Sequence, residues 1–148
     1  MSEIHLKING QEVTAQSGQT VLEAAKDAGV EIPVLCHHPA LSNWGACRMC
    51  VVEVEGMRTL QTACTLPAAD GMVVKTHTEQ TFNIRKFVLE LLFSERNHYC
   101  MYCQMSGDCE LQSQAYSHGL DHWTYPRPYE KQEVDATRKY FIMDHNRC

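Results

Sequence analysis

Four cysteines, Cys36, Cys47, Cys50 and Cys64, place the tightest constraint on what this chain can fold into. Their spacing reads Cys-x10-Cys-x2-Cys-x13-Cys. Cys47 and Cys50 are close enough in sequence to reach a common centre, and Cys36 and Cys64 can close it from either side. Such a set suits a metal site better than it suits four independent core residues. A second group follows in His98, Cys100, Cys103 and Cys109. Together the two groups point to two iron–sulfur clusters in series and to the conduction of electrons.

The rest of the composition narrows the setting. A chain of 148 residues holds one ordinary domain or two very small ones. Its net charge of −5 and the lack of a basic stripe argue against nucleic acid as partner and for docking on other proteins. Met1 to Lys7 lacks the charged-then-apolar shape of a signal peptide. No apolar run approaches the roughly 18 residues of a membrane span, so no direct membrane insertion is expected. The expected compartment is cytoplasmic. In that reducing compartment, eight cysteines read as metal ligands before they read as disulfides.

Local patterns predict an α+β sheet around the first site. Ile4 to Ile8 alternates apolar and polar, Asn9-Gly10 is a strong hairpin signal, and Glu12 to Thr14 is the returning strand. Thr20-x-x-Glu23 is a capping box opening a helix with Val21, Leu22, Ala25 and Ala28 on one face, and Gly29 stops it. Ile32-Pro33 begins an extended approach to the Cys36 loop, where Gly45 supplies backbone freedom. Met49–Val54, Arg58–Gln61 and Met72–Lys75 read as strands, with turns at Gly56 and Asp70-Gly71. This order describes a ubiquitin-like (β-grasp) sheet with the cluster at one edge.

Downstream, residues 78–96 read as a long helix. Ile84, Phe87, Val88, Leu91 and Leu92 form its expected core stripe, and Arg85, Lys86 and Glu90 fall mostly off that face. Gly107 is expected to turn the second metal loop, and a short helix should run from Asp108 to near Gly119. Residues 123–129 are too proline-broken for a helix or central strand, and their aromatics are expected to anchor an extended segment. Residues 138–143 resemble a short strand.

Zinc is the rival metal for the first site, but zinc ribbons bring two close cysteine pairs, whereas this site has one pair flanked by isolated cysteines. In the second set, three thiolates leave one corner of a [4Fe–4S] cube open, and spacing alone leaves that corner to His98 or Cys148.

Particular segments carry a family likeness. Residues 45–56 (Gly-Ala-Cys-Arg-Met-Cys-Val-Val-Glu-Val-Glu-Gly), Cys64-Thr65-Leu66-Pro67 and residues 70–76 resemble the N-terminal region of the complex I iron–sulfur subunit family. Glu90 to Phe93, Arg96 to Cys100 and Gly107 to Gln112 are most similar to the small diaphorase subunit of bidirectional, NAD-reducing nickel–iron hydrogenase. The resemblance implies a [2Fe–2S] cluster on Cys36, Cys47, Cys50 and Cys64. It implies a [4Fe–4S] cluster on His98, Cys100, Cys103 and Cys109. One departure is that the family's histidine commonly stands four residues before the first cysteine; here Arg96 holds that place and His98 stands two before. The other is the end, where His145 to Cys148 looks like the opening of a further ferredoxin-like domain, truncated or absent here.

The implied organisation is a [2Fe–2S] ferredoxin-like domain over 1–77, a small helical [4Fe–4S] domain over 78–120 and an extended tail over 121–148. The implied function is electron relay between a flavin/NAD(H) diaphorase subunit and a catalytic hydrogenase or formate dehydrogenase subunit. Three other readings compete: the electron-input subunit of a respiratory NADH:quinone oxidoreductase, a structural zinc-binding adaptor, and a diffusible ferredoxin. No catalytic residue is expected, since no glycine-rich nucleotide fingerprint and no nucleophile–base pair stands out.

Overall fold

The hairpin forms as its turn chemistry requires. In the computed structural model, which describes residues 3–122, 124–126 and 130–146, β1 (Glu3–Ile8) pairs antiparallel with β2 (Gln11–Gln16). Asn9 and Gly10 both take positive φ, 52° and 84°, the geometry that lets two residues join twisted strands. Leu6 lies opposite Val13 and Ile4 opposite Ala15, so one face of the hairpin is apolar. Leu6, Ile8, Val13 and Ala15 are buried, while Lys7 and Glu12 pair in solvent at 3.0 Å.

α1 (Val21–Asp27) starts with the expected capping box, in which the Thr20 hydroxyl accepts from the Glu23 amide and the Glu23 carboxylate accepts from the Thr20 amide. Val21, Leu22, Ala24 and Ala25 are buried against the sheet. The first-turn amides find partners outside the helix: Val21 donates to the Leu66 carbonyl at 2.8 Å and Leu22 to the Ala63 carbonyl at 3.0 Å. These two bonds tie the helix to the segment that carries Cys64.

The remaining strands are β3 (Val51–Val54), β4 (Gln61–Thr62) and β5 (Val73–Lys75), giving the order β2-β1-β5-β3-β4. β5 lies centrally, parallel to β1 and antiparallel to β3. The β-grasp sheet expected from the sequence is therefore present. β4 is shorter than predicted and excludes Arg58 to Leu60, which lie in a bend and irregular structure. The Asn9 side chain locks the hairpin to the end of β5, donating to the Thr76 hydroxyl at 2.7 Å and accepting from the Thr76 amide at 2.8 Å.

The long helix α2 (Glu79–Glu95) forms over the predicted span, with Thr78 and Thr81 bonded reciprocally at its start. Its buried face differs from the expected stripe. Ile84, Phe87 and Leu91 are 38–44% exposed, whereas Thr81, Arg85, Leu89 and Phe93 are buried at i, i+4 spacing. The physical reason is hydrogen bonding. Arg85 satisfies three backbone carbonyls of the first unit, and that demand turns its side of the helix inward.

The chain divides into two compact units, Met1–Arg85 and Lys86–Cys148. In the second, a 3-10 turn (Cys100–Tyr102) precedes α3 (Glu110–Ser117). Residues 138–143 do not form a strand. Only Met143 is bridged, to Asp135 by two 2.9 Å backbone bonds, and Tyr140, Phe141 and Ile142 are exposed. The segment has the composition of a strand but no neighbouring strand to pair with among the described residues. Of the aromatic segment, Tyr125 meets Phe87 edge-to-face at 6.0 Å, as an anchor would; Trp123 and residues 127–129 lie outside the described residues. Among the described residues, no helix is long and apolar enough to cross a membrane.

Candidate metal centres

Each of the four cysteines of the first group reaches its place by a different local device. Cys36 and Cys47 sit on the irregular segment after α1, Cys50 directly precedes β3, and Cys64 follows closely on β4. The β3–β4 ladder continues one step beyond the strands, with the Ala63 amide bonding the Cys50 carbonyl at 3.0 Å. It sets Cys50 and Cys64 side by side at the core, where both are buried. Cys36 is exposed and Cys47 half-buried.

The loop folds back on itself at the sulfurs. The Cys47 amide donates to Cys36 Sγ at 3.4 Å. Gly45 (φ 60°) and Arg48 (φ 59°) make the left-handed bends that bring amides round to face the thiols. A Cβ on Gly45 would stand 3.1 Å from the Thr65 methyl, so a bare backbone is needed there.

The electrostatics reflect how closely the four thiols are gathered. Burial pushes the Cys64 thiol up to about 12, helped by its hydrogen bond with Cys50 and by the charges of Cys50, Cys36 and Cys47. Burial likewise raises Cys47. At Cys36 burial also acts upward, but hydrogen bonds from Cys47 and the Ala46 amide outweigh it and hold the thiol below its ordinary value.

Deprotonated together, the four sulfurs would repel one another unless a cationic centre lay among them, and the amides around Cys36 supply donors for sulfur. This donor set fits a [2Fe–2S] cluster.

The second group lies wholly within the second unit. Successive turns carry the chain from Cys100 to Cys109: Cys103 N–H to the Cys100 carbonyl, Ser106 N–H to Cys103, and Asp108 N–H to Met105. Gly107 (φ 90°) makes the final bend, and its amide donates to the Gln112 side chain at 2.8 Å. Cys109 takes the N-cap position of α3, yet its sulfur makes no capping bond. His98, Cys100, Cys103 and Cys109 line one cavity of about 650 Å³, walled by Phe93, Tyr99 and Leu111.

His98 is oriented from the helix before it. Its Nε2 donates to the Leu92 carbonyl at 3.1 Å, and its ring lies against Phe93 with centroids 4.6 Å apart. Since a carbonyl can only accept, that bond places the ring proton on Nε2 and the lone pair on Nδ1, the atom that could hold a metal. Burial lowers the His98 pKa, although the Leu92 bond acts upward, so the neutral imidazole, the form able to bind metal, is favoured. Three thiols and an imidazole around one cavity fit a [4Fe–4S] cluster, whose ligands go to separate irons and line a cavity rather than converge on one atom. Cys148, the other candidate for the fourth corner, lies outside the described residues.

One residue beside the first site, expected off the core face of its helix, is instead buried. Arg85 is 2% exposed and its guanidinium donates to the carbonyls of Met49 (3.0 Å), Val51 (2.6 Å) and Thr76 (2.9 Å). Met49 and Val51 flank Cys50 on either side. The available signal was the alternative seam Thr81, Arg85, Leu89, Phe93, which an apolar count passes over because two of its members are polar.

A β-grasp sheet with four thiols at its edge, followed by a helical unit with a histidine and three thiols round a cavity, defines a two-cluster iron–sulfur protein. Comparison with known proteins gives the family. Residues 1–79 match the 2Fe-2S iron-sulfur cluster binding domain, and the chain belongs to that family. Residues 85–123 match the NADH-ubiquinone oxidoreductase-G iron-sulfur binding region, so the chain carries one [2Fe–2S] and one [4Fe–4S] cluster.

Among curated relatives, the chain is 39% identical to the NADP-reducing hydrogenase subunit HndD of Solidesulfovibrio fructosivorans, over 100% of this chain and 26% of that protein. It is also 35% identical to the mitochondrial NADH-ubiquinone oxidoreductase 78 kDa subunit of Candida albicans, over 100% of this chain and 21% of that protein. A chain in the crystal structure of the NAD+-reducing [NiFe]-hydrogenase in the H2-reduced state superposes with a TM-score of 0.90 at 41% identity. That match covers 99% of this chain and 62% of the solved one. The chain thus spans about a quarter or less of the length of these two curated relatives.

Proposed function

We propose that this chain is an iron–sulfur electron-transfer module of an NAD(P)-linked oxidoreductase assembly. In this reading Cys36, Cys47, Cys50 and Cys64 ligate the [2Fe–2S] cluster, and His98, Cys100, Cys103 and Cys109 ligate the [4Fe–4S] cluster. The observation that supports it best is the sorting of all eight side chains into two groups, one within each compact unit. The clusters, when bound, supply reversible one-electron chemistry. The polypeptide holds the ligands, directs amides at sulfur and keeps Cys50 and Cys64 away from water. His98 presents Nδ1 while Leu92 holds its other nitrogen. No side chain takes a bond-making role.

The partners we propose are a flavin/NAD(H)-binding subunit and a catalytic hydrogenase or formate dehydrogenase subunit. The names of the hydrogenase relatives support this, as does the high identity with the NAD+-reducing enzyme. A second reading, the electron-input subunit of a respiratory NADH:quinone oxidoreductase, is favoured by the match of residues 85–123 to the NADH-ubiquinone oxidoreductase-G region. We place the chain in the cytoplasm, in keeping with cysteines assigned to clusters and not to disulfides.

Anaerobic purification tests the reading. Iron with acid-labile sulfide and two distinct reduced EPR signals are expected. Cys47→Ser should abolish or alter the [2Fe–2S] signal and leave the other in place. Zinc without labile sulfide would overturn the ligand assignment. Co-purification of a flavoprotein supports the proposed partners, whereas a native size near 16.9 kDa in cell extract would identify a diffusible carrier.

A further inference from the structure

Arg85 is an unusual choice for the interior of this unit. A guanidinium at 2% exposure ordinarily meets a carboxylate, yet its three hydrogen-bond partners here are backbone carbonyls. No ion pair found among the described residues includes it. Carbonyl oxygens satisfy its donors but not its charge, and a buried unpaired charge is among the least favourable features a small unit can carry. Among the described residues, the one charge that acts on it is that of Cys50, which raises its pKa. The carbonyls it holds belong to Met49 and Val51, the two neighbours of Cys50, whose thiol is itself 1% exposed.

We propose that Arg85 is a positioning residue and a fixed counter-charge for the first cluster, clamping the peptide on both sides of Cys50 and favouring the reduced state. The inference rests on the reading that Cys36, Cys47, Cys50 and Cys64 ligate a [2Fe–2S] cluster. A cluster held by four thiolates is anionic, and the one electron it receives on reduction makes it more so, with no proton or bond change required. A cation fixed in a low-dielectric interior therefore stabilises the reduced form more than the oxidised one. Burial pulls the Arg85 pKa down to about 10, with the Cys50 charge acting upward, so the group is still cationic at neutral pH. The clamp and the charge come from the same side chain. Its planar fork reaches three carbonyls at once, two of them through Nη2. Thr76, the third partner, ends the β5 side of the sheet and is also held by Asn9, so the clamp is anchored to a rigid point.

The test compares Arg85→Lys, which keeps the charge, with Arg85→Gln, which keeps donors but not the charge. Each is titrated with dithionite as electron source, with EPR following both clusters and circular dichroism following the fold. For Arg85→Gln the expected result is a loss of at least tenfold in the reduction equilibrium of the [2Fe–2S] cluster, about 59 mV for a one-electron couple. Arg85→Lys should stay within that margin of the parent, and the [4Fe–4S] midpoint should not move in either. Folding of Arg85→Lys with unfolding of Arg85→Gln also supports a required cation. Equal midpoints in the two variants, or equal loss of folded protein in both, would show that Arg85 is a structural strut and overturn the proposal. Absence of any two-iron signal from the unmodified protein would instead sink the ligand assignment on which the inference rests.

Discussion

The amide of Cys47 donates to the sulfur of Cys36 at 3.4 Å, closing the cluster loop on itself before any metal is considered. The bond separates the four thiols chemically, since it helps hold Cys36 below its ordinary pKa while burial lifts Cys64 to about 12. In cluster-free protein at mildly alkaline pH, iodoacetamide should therefore modify Cys36 before Cys64. Peptide mass spectrometry against time checks the order, and equal rates would contradict it.

The same shift has a consequence for stability. A folded Cys64 thiol binds its proton more tightly than an unfolded one with a pKa of 9.0, so its contribution is fully present below pH 9. It is lost as pH rises towards about 12. Melting temperatures of cluster-free protein measured across that alkaline range should fall, and the fall should be smaller in Cys64→Ala.

Gly45→Ala should loosen the first site without touching the second. The new methyl must accept φ near 60° and meet Thr65, whose hydroxyl is already held by Thr62 at 2.6 Å. The left-handed backbone alone costs roughly 1–2 kcal/mol. Iron analysis with EPR should show less [2Fe–2S] cluster per chain and an unchanged [4Fe–4S] signal.

His98→Cys should keep a cluster but lower its midpoint, because a neutral imidazole becomes an anionic thiolate. His98→Ala should disturb the cluster outright. An unchanged signal and potential in anaerobically prepared His98→Ala protein would remove His98 from the ligand set.

Thr20→Ala should cost about 1 kcal/mol through loss of the capping box. The adjacent amides of Val21 and Leu22 bond the segment around Cys64, so the first cluster should also be lost more readily on warming. Loss of visible absorbance with temperature, compared with the unmodified protein, measures it.

Much of this architecture is local chemistry and was readable residue by residue. Asn9-Gly10 imposes a turn wherever it stands between alternating strands, and Thr20 with Glu23 opens a helix from four residues alone. The spacing of the cysteines marked out two groups because loop length limits what can meet. The placement of 138–143 as a strand failed for the complementary reason, since a strand exists only if another strand pairs with it.

Residue order and spacing alone set the hairpin, the capped helix, the donor types and the division of the donors into two groups. Each follows from contacts within a few residues or from the reach of a short loop. Tertiary structure alone decided that β5 lies at the centre of the sheet and that Nε2 of His98 is committed to Leu92. It also decided that α2 turns Arg85 inward and leaves Ile84, Phe87 and Leu91 at the surface. Counting apolar residues could not foresee that orientation, because three backbone carbonyls, two of them beside Cys50, needed a donor and only a folded chain brings Arg85 to them.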